Sequence, residues 1–228
     1  MKPVANLRDY YQRLRAHFGH QHWWPGDTPF EVCVGAILTQ NTAWSNVEKA
    51  IANLKRARAL SPRALHQLNE HQIAALIRPS GYFNIKARRL KAFIEFLFAE
   101  YGGVTRMRRE RLTSLREKLL SVNGVGPETA DSILLYALGK PIFVVDAYTR
   151  RVLVRHRLIK PSATYDEIQK LFHSPFRRHP PSLFNDFHAQ FVAVGKTYCK
   201  SRVALCEYCP LKPLLSLPSG GKMRINNK

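Results

Sequence analysis

Apolar side chains recur three to four residues apart along most of the chain, which is the spacing of amphipathic helices. Residues 28–39 predict a buried helix, because Thr28 and Pro29 form a typical helix start and the following positions are almost all apolar. Asn84 can cap a long helix that ends before a glycine pair. The other predicted helices share this spacing and cover residues 9–18, 45–57, 109–120, 127–138, 146–156, 165–172 and 181–195. The strand-like run Ile142–Val145 is too short and isolated to define a sheet.

Length and composition set the class of protein. The chain has 228 residues, 45% of them apolar, which is enough for one large or two small domains with a sizeable core. No apolar run approaches the roughly 18 residues that a membrane-spanning helix needs, and the N-terminus lacks the apolar segment of a signal peptide. We therefore expect a soluble, cytoplasmic protein without membrane contact. Residues 218–228 are rich in glycine, lysine and asparagine, and we expect a loose tail there.

The charge balance points to a polyanionic partner. Lysine and arginine number 36 against 16 acidic residues, which gives a net charge of +20. So much like charge repels itself, and nucleic acid is the first candidate to neutralise it. A basic surface without a specific partner is the alternative. A membrane surface is disfavoured, because the basic clusters are spread along the chain rather than on one amphipathic helix.

A glycine pair lies between two predicted helices. Gly124 and Gly126 enclose one apolar residue, Val125, and the next helix begins at Pro127. Glycine permits a tight hairpin and lets a phosphate approach the backbone N–H groups, which the positive end of the following helix also favours. Such a hairpin would grip a DNA backbone without reading its sequence. By itself, the pattern fits an ordinary connection between two helices equally well.

An aspartate follows twenty residues after Gly126. Asp146 ends an apolar run and precedes a basic helix, and by itself it would be a simple helix cap. The hairpin and this aspartate together resemble the endonuclease III superfamily of DNA glycosylases, the helix-hairpin-helix family with a Gly/Pro-rich loop and a following aspartate. The resemblance continues through residues 38–42, 78–87 and 195–199, so it covers most of the chain.

The resemblance implies an all-α, two-lobed fold with a central cleft. Residues 28–141 would form one lobe with the hairpin, and residues 1–27 plus 142–217 would form the other, with Asp146 and a cysteine cluster. A monomer would bind double-stranded DNA and flip a damaged base into the cleft.

The resemblance also assigns DNA contacts. The hairpin residues Gly124, Val125 and Gly126 would hold the backbone. Gln40, followed by Asn41, matches the family glutamine that fills the gap left in the duplex. A polar residue at the end of a helix is the alternative explanation for Gln40.

The chain departs from endonuclease III at the nucleophile. Endonuclease III carries a lysine two residues after the second glycine, where this chain has Glu128. A carboxylate cannot form a Schiff base with the sugar, so the resemblance implies a monofunctional enzyme. Asp146 would stabilise the developing cationic sugar and align or activate a water, leaving an abasic site. Glu128 is the second candidate catalytic residue, although a negative charge in the first turn of a helix is also favourable in itself.

Several aromatic residues resemble one branch of the superfamily, the bacterial 3-methyladenine DNA glycosylases, which hold an alkylated base between aromatic rings. We expect Trp23, Trp24, Pro25 and Trp44 to form the base pocket, with Trp23 or Trp24 facing Trp44 across the base. An N3-methylated adenine is cationic, so it leaves readily and is attracted to aromatic faces. Tryptophans that are simply part of the core are the alternative.

The cysteine cluster is incomplete. Cys199, Cys206 and Cys209 match the first three ligands of the [4Fe–4S] motif of endonuclease III relatives, but the fourth position is Leu215. The thiols are relics of a lost cluster, or they hold a cluster completed by an outside ligand. Zinc with a distant histidine such as His188 is a further option.

Two other functions remain open. One is an endonuclease III-like glycosylase and lyase acting on oxidised pyrimidines through another lysine, such as Lys118 or Lys140. The other is a DNA-binding module without activity, against which Asp146 argues.

Overall fold

The computed structural model describes residues 6–176 and 180–215. These residues contain no β-strand, and their β-type pairing is an isolated bridge between Cys199 and Ala204. The prediction of an all-α fold is confirmed. No helix in the described part of the chain is long and apolar enough to cross a membrane. The predicted tail, residues 218–228, lies outside the described residues.

Twelve α-helices occupy most of the described residues. They are α1 (Leu7–Phe18), α2 (Pro29–Leu38), α3 (Trp44–Arg56), α4 (Pro62–Gln67), α5 (Glu70–Leu76), α6 (Phe83–Glu100), α7 (Val104–Met107), α8 (Leu112–Ser121), α9 (Pro127–Ser132), α10 (Ala147–Arg155), α11 (Tyr165–His173) and α12 (Pro181–Thr197). Short 3-10 turns lie at Arg78–Ser80, Cys206–Tyr208 and Lys212–Leu214, and α9 continues into the π-helical segment Ile133–Ala137.

The first of two compact units is Trp24–Ile142. Its centre is α2, which the Thr28 side chain caps by accepting a hydrogen bond from the N–H of Glu31 at 3.1 Å. The helix is buried along nearly its whole length, as the apolar pattern predicts. Helices α3, α6 and α9 and the π-helical segment all pack on α2. This buried helix therefore supports both the hairpin and the segment that carries Gln40.

A buried ion pair joins the two helices of the hairpin. Arg116 on α8 donates to a carboxylate oxygen of Asp131 on α9 at 2.8 Å, and the Asp131 side chain is fully buried. Loss of one partner from such a pair leaves an uncompensated buried charge, which costs about 3–5 kcal/mol. The hairpin is thus held at its base by charge as well as by packing.

The second unit combines Met1–Trp23 with Phe143–Lys228. Helix α12 packs against both α1 and α10. Phe143 stacks on Phe172 with ring centroids 3.6 Å apart, inside a larger aromatic cluster. The buried Asp186 of α12 accepts hydrogen bonds from two side chains of α1 at 2.9 and 2.7 Å. The segment that leads into Asp146 therefore starts inside a well-packed aromatic core.

The helix boundaries differ from the sequence prediction in two respects. Helix α6 begins at Phe83, so Asn84 lies in its first turn and is not its cap. The preceding Tyr82 has a left-handed backbone (φ 45°), which redirects the chain after the 3-10 turn. The pattern also missed α4, α5 and α7, because helices of 6, 7 and 4 residues offer too few periodic positions.

Candidate functional site

The glycine hairpin connects α8 to α9 with two different glycine conformations. Gly124 has φ +82°, whereas Gly126 has φ −86° at the start of α9. Val125 between them is buried, and its N–H donates to the carbonyl of Val122 at 3.0 Å. No side chain caps the first turn of α9. The predicted grip on a DNA backbone stays a prediction.

We expect the two glycines to respond differently to alanine. A Cβ on Gly124 would lie 2.2 Å from Cγ of Arg89 in a left-handed backbone, whereas a Cβ on Gly126 would meet nothing within 4 Å. Gly124→Ala should lower the free energy of unfolding by about 1–3 kcal/mol, and Gly126→Ala should change it by less than about 0.5 kcal/mol. Urea unfolding of both variants measures this, and equal stabilities would contradict it. In a parallel duplex-binding assay, Gly124→Ala should bind more weakly than the wild-type protein.

Gln40 links the end of α2 to the hairpin. Its Nε2 donates to the carbonyl of Gly124 and to the hydroxyl of Thr129, both at 2.9 Å, and its Oε1 accepts a hydrogen bond from Arg89. The next residue, Asn41, is exposed and left-handed (φ 52°). Gln40 would have to give up its bonds to the hairpin to fill a gap in a duplex, and that role stays a prediction.

Two residues of this region were missed by the sequence analysis. Lys86 is 1% exposed, and its ammonium donates to the carbonyls of Leu38 and Ser80, both at 2.7 Å. Burial, together with the charge of Arg89, lowers the pKa of Lys86 to about 8. Through its two hydrogen bonds, Lys86 connects the start of α6 to the end of α2. Its position on the apolar stripe of α6 was the signal that could have revealed it.

Tyr82 is the second missed residue. Its side chain is 69% exposed on the left-handed turn before α6. The adjacent Gly81 lies close to Thr42, two residues beyond Gln40. An exposed aromatic ring beside this segment is suited to stacking on a base. A large apolar residue directly after the Ser80–Gly81 turn was the available sequence signal.

Asp146 caps α10, as the sequence alone would suggest, and it also has a second partner. Its Oδ1 accepts a hydrogen bond from the N–H of Thr149 at 2.7 Å, and Nε2 of His188 lies 3.5 Å from its Oδ2. The two side chains are 11% and 6% exposed. Burial acts to raise the pKa of the Asp146 carboxyl, but the charge and hydrogen bond of His188 and the bonds to Thr149 outweigh it, so the pKa is lowered. The site therefore keeps a nearly buried carboxylate ionised.

Glu128 lies exposed in the first turn of α9. It belongs to the unit Trp24–Ile142, whereas Asp146 belongs to the other unit. A carboxylate in the first turn of a helix is favoured by the helix dipole, which by itself accounts for an acidic residue at this position. Its catalytic role stays a prediction.

The alternative lysines are engaged with acidic or backbone groups. Lys118 lies 3.4 Å from carboxylate oxygens of Glu100 and Glu110, and Lys140 donates to the carbonyl of Glu110 at 2.7 Å. The hydrogen bond with Tyr101 raises the pKa of Lys118, against the effect of burial. The hydrogen bond with Glu100 and the charge of Glu110 raise it further. A Schiff-base lysine requires a lowered pKa. Lys118 is therefore poorly suited to lyase chemistry.

Three of the four predicted pocket residues come together in one cavity. Trp24, Pro25 and Trp44 line a cavity of about 350 Å³. The rings of Trp24 and Trp44 touch edge to face, with centroids 5.1 Å apart and an interplanar angle of 89°. In this arrangement the two rings do not lie parallel to each other, and the base pocket stays a prediction. Both indoles settle on α2 where Gly35 has no side chain. This edge-to-face geometry is favourable for aromatic rings.

Other groups complete the picture of the predicted pocket. Trp24 also lies beside Tyr136, with ring centroids 5.0 Å apart. Trp23 belongs to the other unit, where the ammonium of Lys196 lies 5.7 Å from its ring centroid. The indole N–H of Trp44 donates to the Glu48 carboxylate at 2.9 Å. The cavity wall therefore carries negative charge beside its aromatic faces.

The cysteine cluster supplies three thiols at the motif positions, and the fourth position is Leu215. Cys199, Cys206 and Cys209 are partly exposed, and Nη1 of Arg155 lies 3.2 Å from Sγ of Cys199. Burial, more than any other cause, raises the pKa of Cys206 and of Cys209. Within residues 6–176 and 180–215, no three histidine, cysteine or acidic side chains are grouped to hold a metal. With Leu215 at the fourth position, the donor set does not fit a four-thiolate cluster.

The chain is similar in sequence to proteins of known families. Residues 34–178 match the family model of HhH-GPD superfamily base excision DNA repair proteins. The chain is 46% identical over 204 residues to a protein of Methanocaldococcus jannaschii that is provisionally named a DNA repair glycosylase, covering 89% of this chain and 92% of that one. It is 30% identical over 187 residues to endonuclease III of Thermotoga maritima, covering 81% of each chain.

A solved structure is similar over most of its length. It is the 3-methyladenine DNA glycosylase of H. pylori bound to 1,N6-ethenoadenine, with a TM-score of 0.74 and 28% identity. The match covers 85% of this chain and 97% of that one. The family match includes the glycine hairpin and Asp146.

Proposed function

The chain belongs to the HhH-GPD superfamily of base excision DNA repair proteins and is a DNA glycosylase; on that premise we propose that it hydrolytically removes a cationic alkylated purine, such as 3-methyladenine, from double-stranded DNA. One observation carries the proposal. An ionised, nearly buried Asp146 follows the hairpin, while the lyase position holds the carboxylate of Glu128 and no amine. This combination supports hydrolysis without strand cleavage.

The proposed reaction needs little acid catalysis. The N-glycosidic bond breaks with its electron pair going to the base, which leaves as neutral 3-methyladenine because it started as a cation. The sugar becomes a transient oxocarbenium ion, which the negative charge of Asp146 stabilises. A water then adds to C1′ and loses a proton to the solvent, which leaves an abasic site in an intact strand.

The cavity beside α2 supports a cationic substrate. Trp24 and Trp44 offer aromatic faces, on one of which at a time a planar base can stack. A desolvated cation–π contact contributes about 1–2 kcal/mol. The nearby Glu48 carboxylate favours a positive base over a neutral one.

The remaining properties of the protein fit the same proposal. A net charge of +20 favours double-stranded DNA as the partner, and we propose that a monomer binds it. We further propose that Cys199, Cys206 and Cys209 no longer hold a complete [4Fe–4S] cluster. The hydrolysis described above uses none of these thiols.

Release of free bases tests the proposal. The protein is incubated with a methylated duplex and, separately, with a duplex that contains thymine glycol, and the released bases are separated by chromatography. We expect 3-methyladenine to be released, the strand to stay intact until alkali treatment, and borohydride to trap no covalent adduct. Thymine glycol release with nicking and trapping would indicate endonuclease III chemistry. Binding without release of either base would indicate a DNA-binding module.

A further inference from the structure

Helix α12 places a histidine against the carboxylate at the start of α10. The Nε2 atom of His188 lies 3.5 Å from Oδ2 of Asp146, while the N–H of Thr149 bonds the other oxygen at 2.7 Å. The two partners thus approach Asp146 from different directions, one from its own helix and one from α12. Helices α10 and α12 are extensively packed against each other.

Resting on the proposed function, we propose that His188 is a positioning residue for Asp146, which holds Oδ2 in place for the hydrolysis. The capping bond alone engages Oδ1 and leaves the rotation of the carboxylate group less restricted. With His188 in place, Oδ2 also lies at ion-pair distance from a side chain of another helix. A catalytic anion has its largest effect when it is preorganised in this way.

The ring of His188 is itself held by the core. Its side chain is 6% exposed, and the ring packs edge to face on Phe143 at a centroid distance of 6.2 Å. Phe143 is in turn stacked on Phe172. The backbone between Phe143 and Asp146 is also anchored, because the N–H of Val145 donates to the hydroxyl of Tyr165 at 3.2 Å. The aromatic core around Phe143 therefore holds both the His188 ring and the segment that leads to Asp146.

Other charged groups of the packed elements are engaged elsewhere. On α10, Arg150 and Arg151 donate to backbone carbonyls. On α12, Asp186 binds Arg15 of α1, and on α11, His173 accepts a hydrogen bond from the N–H of Phe143. Burial raises the pKa of Asp146, and two neighbours, His188 and Thr149, lower it. Of these two, only His188 is ionisable.

The pH dependence follows from these opposing effects. Excision requires the ionised carboxylate, so activity falls as the pH drops through the pKa of Asp146. Because His188 lowers that pKa, its removal leaves the effect of burial in place and moves the loss of activity to higher pH. A purely structural histidine would change stability without moving this midpoint.

Two measurements on the full chain test the proposal: NMR titration of the Asp146 carboxyl carbon between about pH 2 and pH 8 gives the acidic midpoint, and single-turnover excision from a 3-methyladenine duplex near pH 7 gives the plateau rate. For His188→Phe, we expect the acidic midpoint to rise by about one pH unit and the plateau rate to fall about tenfold. His188→Gln keeps a hydrogen-bond donor without the charge, so it should recover most of the plateau rate and still show a raised midpoint. His173→Gln, a change in the same aromatic core, should keep the wild-type midpoint. Duplex affinity should change by less than about twofold in all three.

Wild-type acidic midpoints in His188→Phe and His188→Gln would overturn the inference. If His188→Phe does not fold, the midpoint of His188→Gln decides alone. Single-turnover excision by Asp146→Asn separates a failure of the positioning role from a failure of the proposed function. An inactive Asp146→Asn with unshifted His188 variants defeats the positioning role only, whereas an active Asp146→Asn defeats the proposed function.

Discussion

Asp146→Asn is expected to lower the single-turnover rate of base excision by at least about 10³-fold, while duplex affinity changes by less than about threefold. The carboxylate acts on charge that develops in the transition state, so its loss affects the rate more than the binding. Asparagine has nearly the same shape as aspartate and caps helices equally well. The bond from the N–H of Thr149, and with it the start of α10, should therefore survive the substitution.

The controls for this variant isolate the charge. Asp9→Asn removes one negative charge from the first turn of α1 in the same unit, and it should excise at the wild-type rate. Thermal unfolding should show that Asp146→Asn remains folded. An Asp146→Asn protein that excises as fast as the wild-type protein would remove Asp146 from the mechanism.

DNA affinity is expected to fall by about 10³-fold or more between 50 and 200 mM monovalent salt. The net charge of +20 means that cations released from the phosphates drive much of the binding. A hairpin that contacts the backbone adds affinity without sequence preference. Undamaged duplexes of different sequence should therefore bind with similar affinities and with the same salt dependence.

Fluorescence anisotropy of a labelled duplex gives the binding constant at each salt concentration, and hence the slope of log K against log salt concentration. Replacing one phosphate-contacting lysine or arginine should lower the slope by about 1 and weaken all sequences alike. The exposed Arg88 on α6 follows directly before Arg89, which lies against Gly124 of the hairpin, so it is our first candidate for such a contact. A dissociation constant that stays flat between low and physiological salt would refute a binding mode dominated by phosphate contacts.

The arrangement of the predicted pocket residues depends only in part on the local sequence. The sequence brings Trp24 and Pro25 together because they are neighbours, and it singles out Trp44 by resemblance. It does not predict that both indoles rest on α2 at Gly35 and meet at 89°. That angle depends on the space between two helices and a preceding loop, which no local spacing encodes.

By itself, the sequence determined the features that depend on neighbouring residues. These are the buried helix after Thr28 and Pro29, the glycine hairpin, the capping position of Asp146 and the missing fourth thiol at Leu215. Helix caps, left-handed glycines and ligand spacing are local, so a single chain displays them directly. The family resemblance rests on the same local motifs.

Only the tertiary structure decided which distant groups act on these motifs. It placed His188 beside Asp146, Gln40 and Arg89 against Gly124, and the ammonium of Lys86 beneath the end of α2. Each contact joins residues on different helices, and its geometry depends on how those helices pack. Packing sums many weak contacts over the whole core, so no periodicity within one segment can specify it.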